Sequence, residues 1–343
     1  MQYTLAYLTV FGVALGASLA GTPLARRLAR RWGVLDQPSH RKVHRSPTPL
    51  LGGLAIYAGF WLSVLTVSRF EVAAPEVFLP ATTRELAAIF VATLTLMLVG
   101  LADDKLGGLP PRAKLGGQLL AAGVAVLGGL QLRVFDSPLL DLPLTLLWIV
   151  GLSNAINLLD NMDGLSAGAT AIAAIFFFCI AALNGQLLVG AMALALAGAC
   201  IGFLRYNFNP ATVFMGDTGT LFMGFLLATI GMKLKASGPA WWSFILVVVV
   251  LALPIFDTGL VTAYRLWKGH GVAQAGKDHT SHRLVKLGLP HRRAVLVLYG
   301  AAIAAGMLAL ALASGGLGAG SALALPALIV VLGAGVFLAR VET

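Results

Sequence analysis

Apolar stretches long enough to cross about 30 Å of hydrocarbon as helices recur along the whole chain, and this constrains the fold more than any other feature. They lie near residues 2–22, 50–68, 86–101, 115–130, 142–159, 166–183, 187–204, 218–232, 241–263, 294–314 and 321–339, which predicts eleven spans. The short ones, 86–101, 115–130 and 218–232, must extend into their flanks to cross. No segment alternates with the period of two that a barrel requires, so the expected fold is an all-α polytopic membrane protein. Composition agrees: 58% of residues are hydrophobic and 11% charged, against roughly 45–50% and about 25% in soluble domains. Cys179 and Cys200 sit inside apolar runs and read as packing residues.

The net charge of +10 would suggest nucleic-acid binding in a soluble protein, but its distribution excludes that reading. The loop 23–49 holds Arg26, Arg27, Arg30, Arg31, Arg41, Lys42 and Arg45 against the single acid Asp36, so it belongs on the cytoplasmic side. Alternating from there places loops 69–85, 131–141, 184–186, 233–240 and 315–320 outside, with five basic residues and five acids between them. The excess therefore falls inside, the N-terminus outside and the C-terminus in the cytoplasm. Residues 1–22 lack a positively charged leader, so they are expected to form an uncleaved first span. The chain reads as one transmembrane domain, 1–343, with inner loops near 23–49, 102–114, 160–165, 205–217 and 264–293. Forty glycines suit close helix packing, and the GxxxG pairs Gly12/Gly16, Gly198/Gly202 and Gly316/Gly320 could serve that or a homodimer.

The unusual polar segments all fall in those inner loops or at span ends facing them. LDQPSHRKVHRSPTPLLGG, residues 35–53, is more ordered in His, Pro and Gly than a solvated basic hinge requires. Asp103 and Asp104 end the third span, followed by Lys105, Arg112 and Lys114. Neighbours on a helix diverge by about 100°, so the two carboxylates have different tasks, one toward a metal or phosphate and one holding a lysine. Asn154, Asn157 and Asn161 make one polar stripe at i, i+3 and i+7, with Asp160 and Asp163 beside it. Such a stripe is either interhelical glue or the lining of a site. Asp217 or Thr218 either caps the eighth helix or sets a carboxylate beside a positive helix N-terminus, where a metal-bound phosphate would sit. His279, His282 and Arg283 share a face if their segment is helical. Without a nearby Cys they suit an anion better than zinc. Asp257, inside the ninth span, is either functional or paired with a cation from a neighbouring loop. Carboxylates and amides are hard oxygen ligands, which implies Mg²⁺, or Mn²⁺, and with the surrounding cations a diphosphate substrate.

RKVHRSPTPLLGG, LADDK, NAINLLDNMDGLSAG, YNFNPATVFMGDTG, PIFDT and DHTSHRL, in that order between about 34 and 284, closely resemble the polyprenyl-phosphate N-acetylhexosamine-1-phosphate transferase superfamily, of glycosyltransferase family 4 type. The resemblance implies transfer of a sugar 1-phosphate from a UDP-sugar to a polyprenyl phosphate in the bacterial cytoplasmic membrane, releasing UMP. RKVHRSPTP and the closing HisxxHisArg resemble the branch using UDP-N-acetylglucosamine and undecaprenyl phosphate for lipopolysaccharide, enterobacterial common antigen or teichoic-acid linkage units. The peptidoglycan branch, which acts on UDP-N-acetylmuramoyl-pentapeptide, typically has three adjacent histidines that this chain lacks, and Ser281 stands where many relatives have another His.

By matched position, Asp217 resembles the principal Mg²⁺ ligand and Asn157 the amide beside it. Asp103 resembles an acid proposed as general base, with Asp104 and Lys114 next to it. Asn154, Asp160, Asp163, Lys42, His279, His282 and Arg283 fall on substrate-binding segments, the last three toward the sugar nucleotide. The competing class is a secondary transporter, disfavoured because no internal repeat is visible and the polar groups gather at one face rather than the midplane.

Overall fold

The computed structural model describes residues 3–38, 46–67, 80–271 and 276–341. Within them the chain is helical apart from one antiparallel ladder, β1 (Leu35–Asp36) with β2 (Thr48–Pro49). The helices are α1 (Thr4–Trp32), α2 (Gly52–Val67), α3 (Pro80–Leu106), α4 (Pro111–Leu127), α5 (Pro138–Leu159) and α6 (Leu165–Leu183). They continue as α7 (Leu187–Asn207), α8 (Asp217–Lys233), α9 (Ala240–Val250), α10 (Ala252–Trp267), α11 (Thr280–Lys286) and α12 (His291–Ala339).

The chain is an all-α membrane protein, but the described helices do not supply eleven crossings. Six are long and apolar enough, or seven if the bent pair α9–α10 counts as one. The difference has identifiable causes. The expected span 241–263 breaks between Val250 and Ala252, where α9 and α10 meet at 74°. Helices α4 and α8 have 17 residues each, at the lower limit of the roughly 17–25 that a crossing takes, and the 16 residues of α2 run to the edge of a described segment. The spans expected at 294–314 and 321–339 belong to a single 49-residue element. Yet both ends of α12 lie beside α11: Val295 and Leu298 pack with Leu284 and Val285, while Arg283 Nη1 donates to the carbonyls of Leu338 and Val341. At about 1.5 Å per residue a straight helix of this length would part its ends by roughly 70 Å, so α12 doubles back.

Helix α8 forms the centre. Every residue from Thr218 to Gly231 is buried, so its partners are helices rather than lipid, and it need not match the bilayer thickness. α2, α3 and α5 pack against it, and small residues let its N-terminus approach their backbones. A Cβ on Gly53 of α2 would come within 2.3 Å of Gly219 N, and one on Gly100 of α3 within 2.3 Å of the Asp217 carbonyl. The first turn of α8 is thus wedged between two helices with no room for a side chain.

The GxxxG pairs divide by location. Gly198 and Gly202 of α7 lie against Phe11 and Leu15 of α1, whereas Gly12 and Gly16 meet nothing within 4 Å. The side chains around Gly316/Gly320 fall outside the described residues.

Candidate active site

Asp217 opens α8, and its own N-cap, Gly216, has φ +67° and no side chain to bond the free N–H groups. Asp104, reaching over from the end of α3, fills that role. Its Oδ1 accepts from Asp217 N at 3.0 Å, and its Oδ2 accepts from Thr218 N at 3.0 Å and Thr218 Oγ1 at 2.6 Å. The helix cap that sequence reasoning offered to Asp217 or Thr218 is supplied from another helix, and the Asp217 carboxylate is left to face the site.

Two residues bond that carboxylate. Lys114 Nζ of α4 bonds Oδ2 and lies 3.6 Å from Asp103. Asn157 Nδ2 of α5 donates to Oδ1 at 2.7 Å and to Thr220 Oγ1 at 2.8 Å. Both amide hydrogens of Asn157 are used there, so what it can offer a cation is its carbonyl oxygen. Asp103 Oδ1 also accepts from Leu109 N at 2.7 Å, holding the turn between α3 and α4. Oxygens of Asp103, Asp104 and Asp217 lie within 4.8 Å of one another.

A cavity of about 830 Å³ beside this cluster is lined by Asp104, Asn157, Asp160, Asp163 and Asp217 and also by Lys277, His282 and His291. Asp160 ends α5. Burial, then the carboxylates of Asp217, Asp104 and Asp163, push its carboxyl up to about 8. Asp163 ties two loops together, its Oδ2 accepting from Asn209 Nδ2 at 3.0 Å and Ala211 N at 2.9 Å. Buried Asn207 makes a second tie, accepting from Gly164 N and donating to the Val213 carbonyl.

The last loop brings Lys277, His282 and His291 to the cavity. Asp257 of α10 accepts from Thr280 N at 2.7 Å, and its other oxygen lies 2.8 Å from His279 Nδ1, so this buried acid anchors the start of α11. Arg265 grips Asp278 through two bonds of 2.6 and 2.8 Å. Although burial alone would raise the Asp278 carboxyl, these bonds hold it below the usual carboxylate range. Ser281 Oγ donates to Asn161 Oδ1, joining α11 to the α5–α6 loop.

His282 faces the cavity, and burial followed by the neighbouring His279, Lys277 and His291 lowers its imidazole to about 4. The folded protein therefore keeps His282 neutral where the unfolded chain protonates it, so this group costs stability as pH falls from about 6.5 toward 4. Thermal midpoints at pH 7 and pH 5 check this: His282→Gln should lose less on acidification than the parent protein, and an equal loss would contradict the assignment.

Several residues singled out from sequence sit away from the cavity wall. Asn154 exchanges two amide hydrogen bonds with Gln118. His279 lies behind His282, with ring centroids 6.2 Å apart. Arg283 is fully buried, its Nε donating to the Asp278 carbonyl and its Nη1 to those of Leu338 and Val341, with the guanidinium 4.4 Å over the Tyr264 ring. Lys42 lies outside the described residues. Conversely, Asp36, Thr48, Lys277 and His291 line the cavity without having been singled out as site residues. The lone acid in the basic loop 23–49 was the one available sign of Asp36.

Residues 86–235, which carry the carboxylate cluster, match the model of the family described as glycosyl transferase family 4. The chain is 36% identical over 298 residues to a probable undecaprenyl-phosphate N-acetylglucosaminyl 1-phosphate transferase of Bacillus subtilis, covering 84% of this chain and 80% of the relative. The chain belongs to glycosyl transferase family 4. Relatives whose names give another acceptor or another sugar are also similar to it. A decaprenyl-phosphate N-acetylglucosaminephosphotransferase of Mycolicibacterium smegmatis is 36% identical over 316 residues, 81% of this chain and 75% of the relative. A phospho-N-acetylmuramoyl-pentapeptide-transferase of Bacillus cytotoxicus is 34% identical over 253 residues, 66% and 75%.

Proposed function

We propose that the protein transfers N-acetylglucosamine 1-phosphate from UDP-N-acetylglucosamine to undecaprenyl phosphate, giving the lipid-linked diphosphate sugar and UMP. The observation that carries this is one cavity lined both by Asp217 with neighbouring carboxylates and by Lys277, His282 and His291. The carboxylates suit a cation, and Lys277 with the two imidazoles suits a polyanion. The names of the Bacillus subtilis and Mycolicibacterium smegmatis relatives support the donor and acceptor. The basic inner loops support a site facing the cytoplasm of a bacterial membrane, where a soluble nucleotide sugar meets a lipid phosphate at the interface.

The donor set also supports Mg²⁺. Carboxylate oxygens of Asp103, Asp104 and Asp217 lie close together, with the Asn157 carbonyl oxygen available beside Asp217, and all are hard ligands. Asp217 and Asn157 would hold the ion, which when bound neutralises charge on the donor's diphosphate.

An acceptor phosphate oxygen attacks the sugar-bearing phosphorus, that phosphorus–oxygen bond to the uridylyl group breaks, and UMP leaves. A phosphate monoester has its second pKa near 6, so the acceptor is largely dianionic at neutral pH and needs little deprotonation. The protein's work is alignment and charge screening. Lys114 screens the two anions, Asp104 fixes the α8 N-terminus, and the last loop orients the nucleotide sugar.

Purified protein incubated with UDP-N-acetylglucosamine, undecaprenyl phosphate and Mg²⁺ should release UMP one-for-one with lipid product. UDP-N-acetylmuramoyl-pentapeptide should give under a hundredth of that rate. The reverse preference would place the chain in the peptidoglycan branch, and no UMP from either donor would favour a carrier.

A further inference from the structure

Helix α4 buries a stripe of Gln118, Ala121, Ala122 and Ala125 as it packs against α3 and α5. Alanines set how closely two helices approach but not how they slide along one another. A polar pair does fix that register. Gln118, 2% exposed, and Asn154 of α5 bond reciprocally: Asn154 Nδ2 donates to Gln118 Oε1 at 2.6 Å, and Gln118 Nε2 donates to Asn154 Oδ1 at 3.2 Å. Asn154 also donates to its own Val150 carbonyl at 2.8 Å, which holds its rotamer.

One turn away on each helix stand the residues that meet at Asp217. Lys114 precedes Gln118 by four residues on α4, and Asn157 follows Asn154 by three on α5, so each pair shares a helical face. Lys114 and Asn157 both bond the Asp217 carboxylate. The side chains and two helical turns thus close a ring through Lys114, Asp217, Asn157, Asn154 and Gln118. The Gln118–Asn154 tie lies outside the cavity lining, one turn from that carboxylate on each helix.

We infer that Gln118 and Asn154 are positioning residues that set the register of α4 against α5 and so deliver the Lys114 ammonium to the reacting phosphates. This rests on the phosphotransfer reading above. Asn154 acts through Lys114 and does not touch the donor.

The decisive variant is Gln118→Met with Asn154→Leu, which removes both amides and leaves neither buried and unpaired. Its kcat for UMP release should fall about tenfold, with KM for UDP-N-acetylglucosamine within twofold and the thermal midpoint not lowered. The exchange Gln118→Asn with Asn154→Gln keeps both amides and should hold kcat within threefold of the parent protein. A double apolar variant within twofold of parental kcat would overturn the inference, as would raised KM at unchanged kcat, which would put Asn154 on the donor. If the apolar variant does not fold, the exchange variant decides alone, and a tenfold loss of its kcat would overturn the inference. The parent protein assayed alongside keeps the two readings apart, since absence of UMP from it defeats the phosphotransfer reading itself.

Discussion

Asp217→Ala should release UMP about a thousandfold more slowly than the parent protein while remaining folded. Lys114 and Asn157 both bond this one carboxylate, which stands on the first turn of α8. Preorganised charge at a phosphoryl centre is commonly the largest single contribution, with losses of about 10²–10³ for one group. Asp103→Asn should cost only about tenfold. Asp103 holds Leu109 N and lies 3.6 Å from Lys114, and a largely dianionic acceptor gives a general base little to do. Near-normal turnover by the Asp217 variant, or a greater loss at Asp103, would reverse the assignment.

The second large effect needs no chemical group at all. Gly100→Ala should lower kcat about a hundredfold, because its Cβ would stand 2.3 Å from the Asp217 carbonyl carbon and oxygen and 2.4 Å from Thr218 N. These are backbone atoms at a helix terminus and cannot rotate aside, so α3 must move away. Asp104, four residues later on α3, then withdraws from the N–H groups it caps. A displacement of about 1 Å at a reacting group can cost 10²-fold, and overpacking of this kind roughly 1–3 kcal/mol of stability. Gly123→Ala in α4, where nothing lies within 4 Å, is the control and should keep kcat within twofold. UMP release and thermal midpoints measured together check both variants; parental activity in Gly100→Ala would mean that the wedge does not set the site.

Much of this site was legible in the sequence because acids and amides are costly in apolar helices and therefore conspicuous. Asp104, Asn157, Asp160, Asp163 and Asp217 stand out against Leu, Ala and Gly, and all five line one cavity. The same conspicuousness made Asn154 and Arg283 look like substrate contacts. Whether a buried amide faces a cavity or another amide depends on its partner, and Gln118 lies 36 residues away on another helix. Arg283 shares its segment with His282 but turns toward Leu338 and Val341, carbonyls that no local pattern could have nominated. Lys277 and His291 stayed hidden for the opposite reason, since basic residues in an inner loop satisfy the positive-inside rule without further meaning.

The span count failed where apolarity had to stand for length and straightness. A run such as 241–263 is continuously apolar, yet its helix bends by 74° between Val250 and Ala252. Helix α8 is short because it is surrounded by protein, and the segments that surround it come from both halves of the chain.

The claim on which the rest depends is that Asp217, with Asn157 beside it, holds one divalent cation against the donor's diphosphate. Titrating purified protein with Mn²⁺ in the presence of UDP-N-acetylglucosamine, and following free Mn²⁺ by electron paramagnetic resonance, measures this without relying on turnover. The account predicts one tightly bound Mn²⁺ per chain that Asp217→Asn weakens at least about thirtyfold. Unchanged Mn²⁺ binding by a folded Asp217→Asn protein would contradict it.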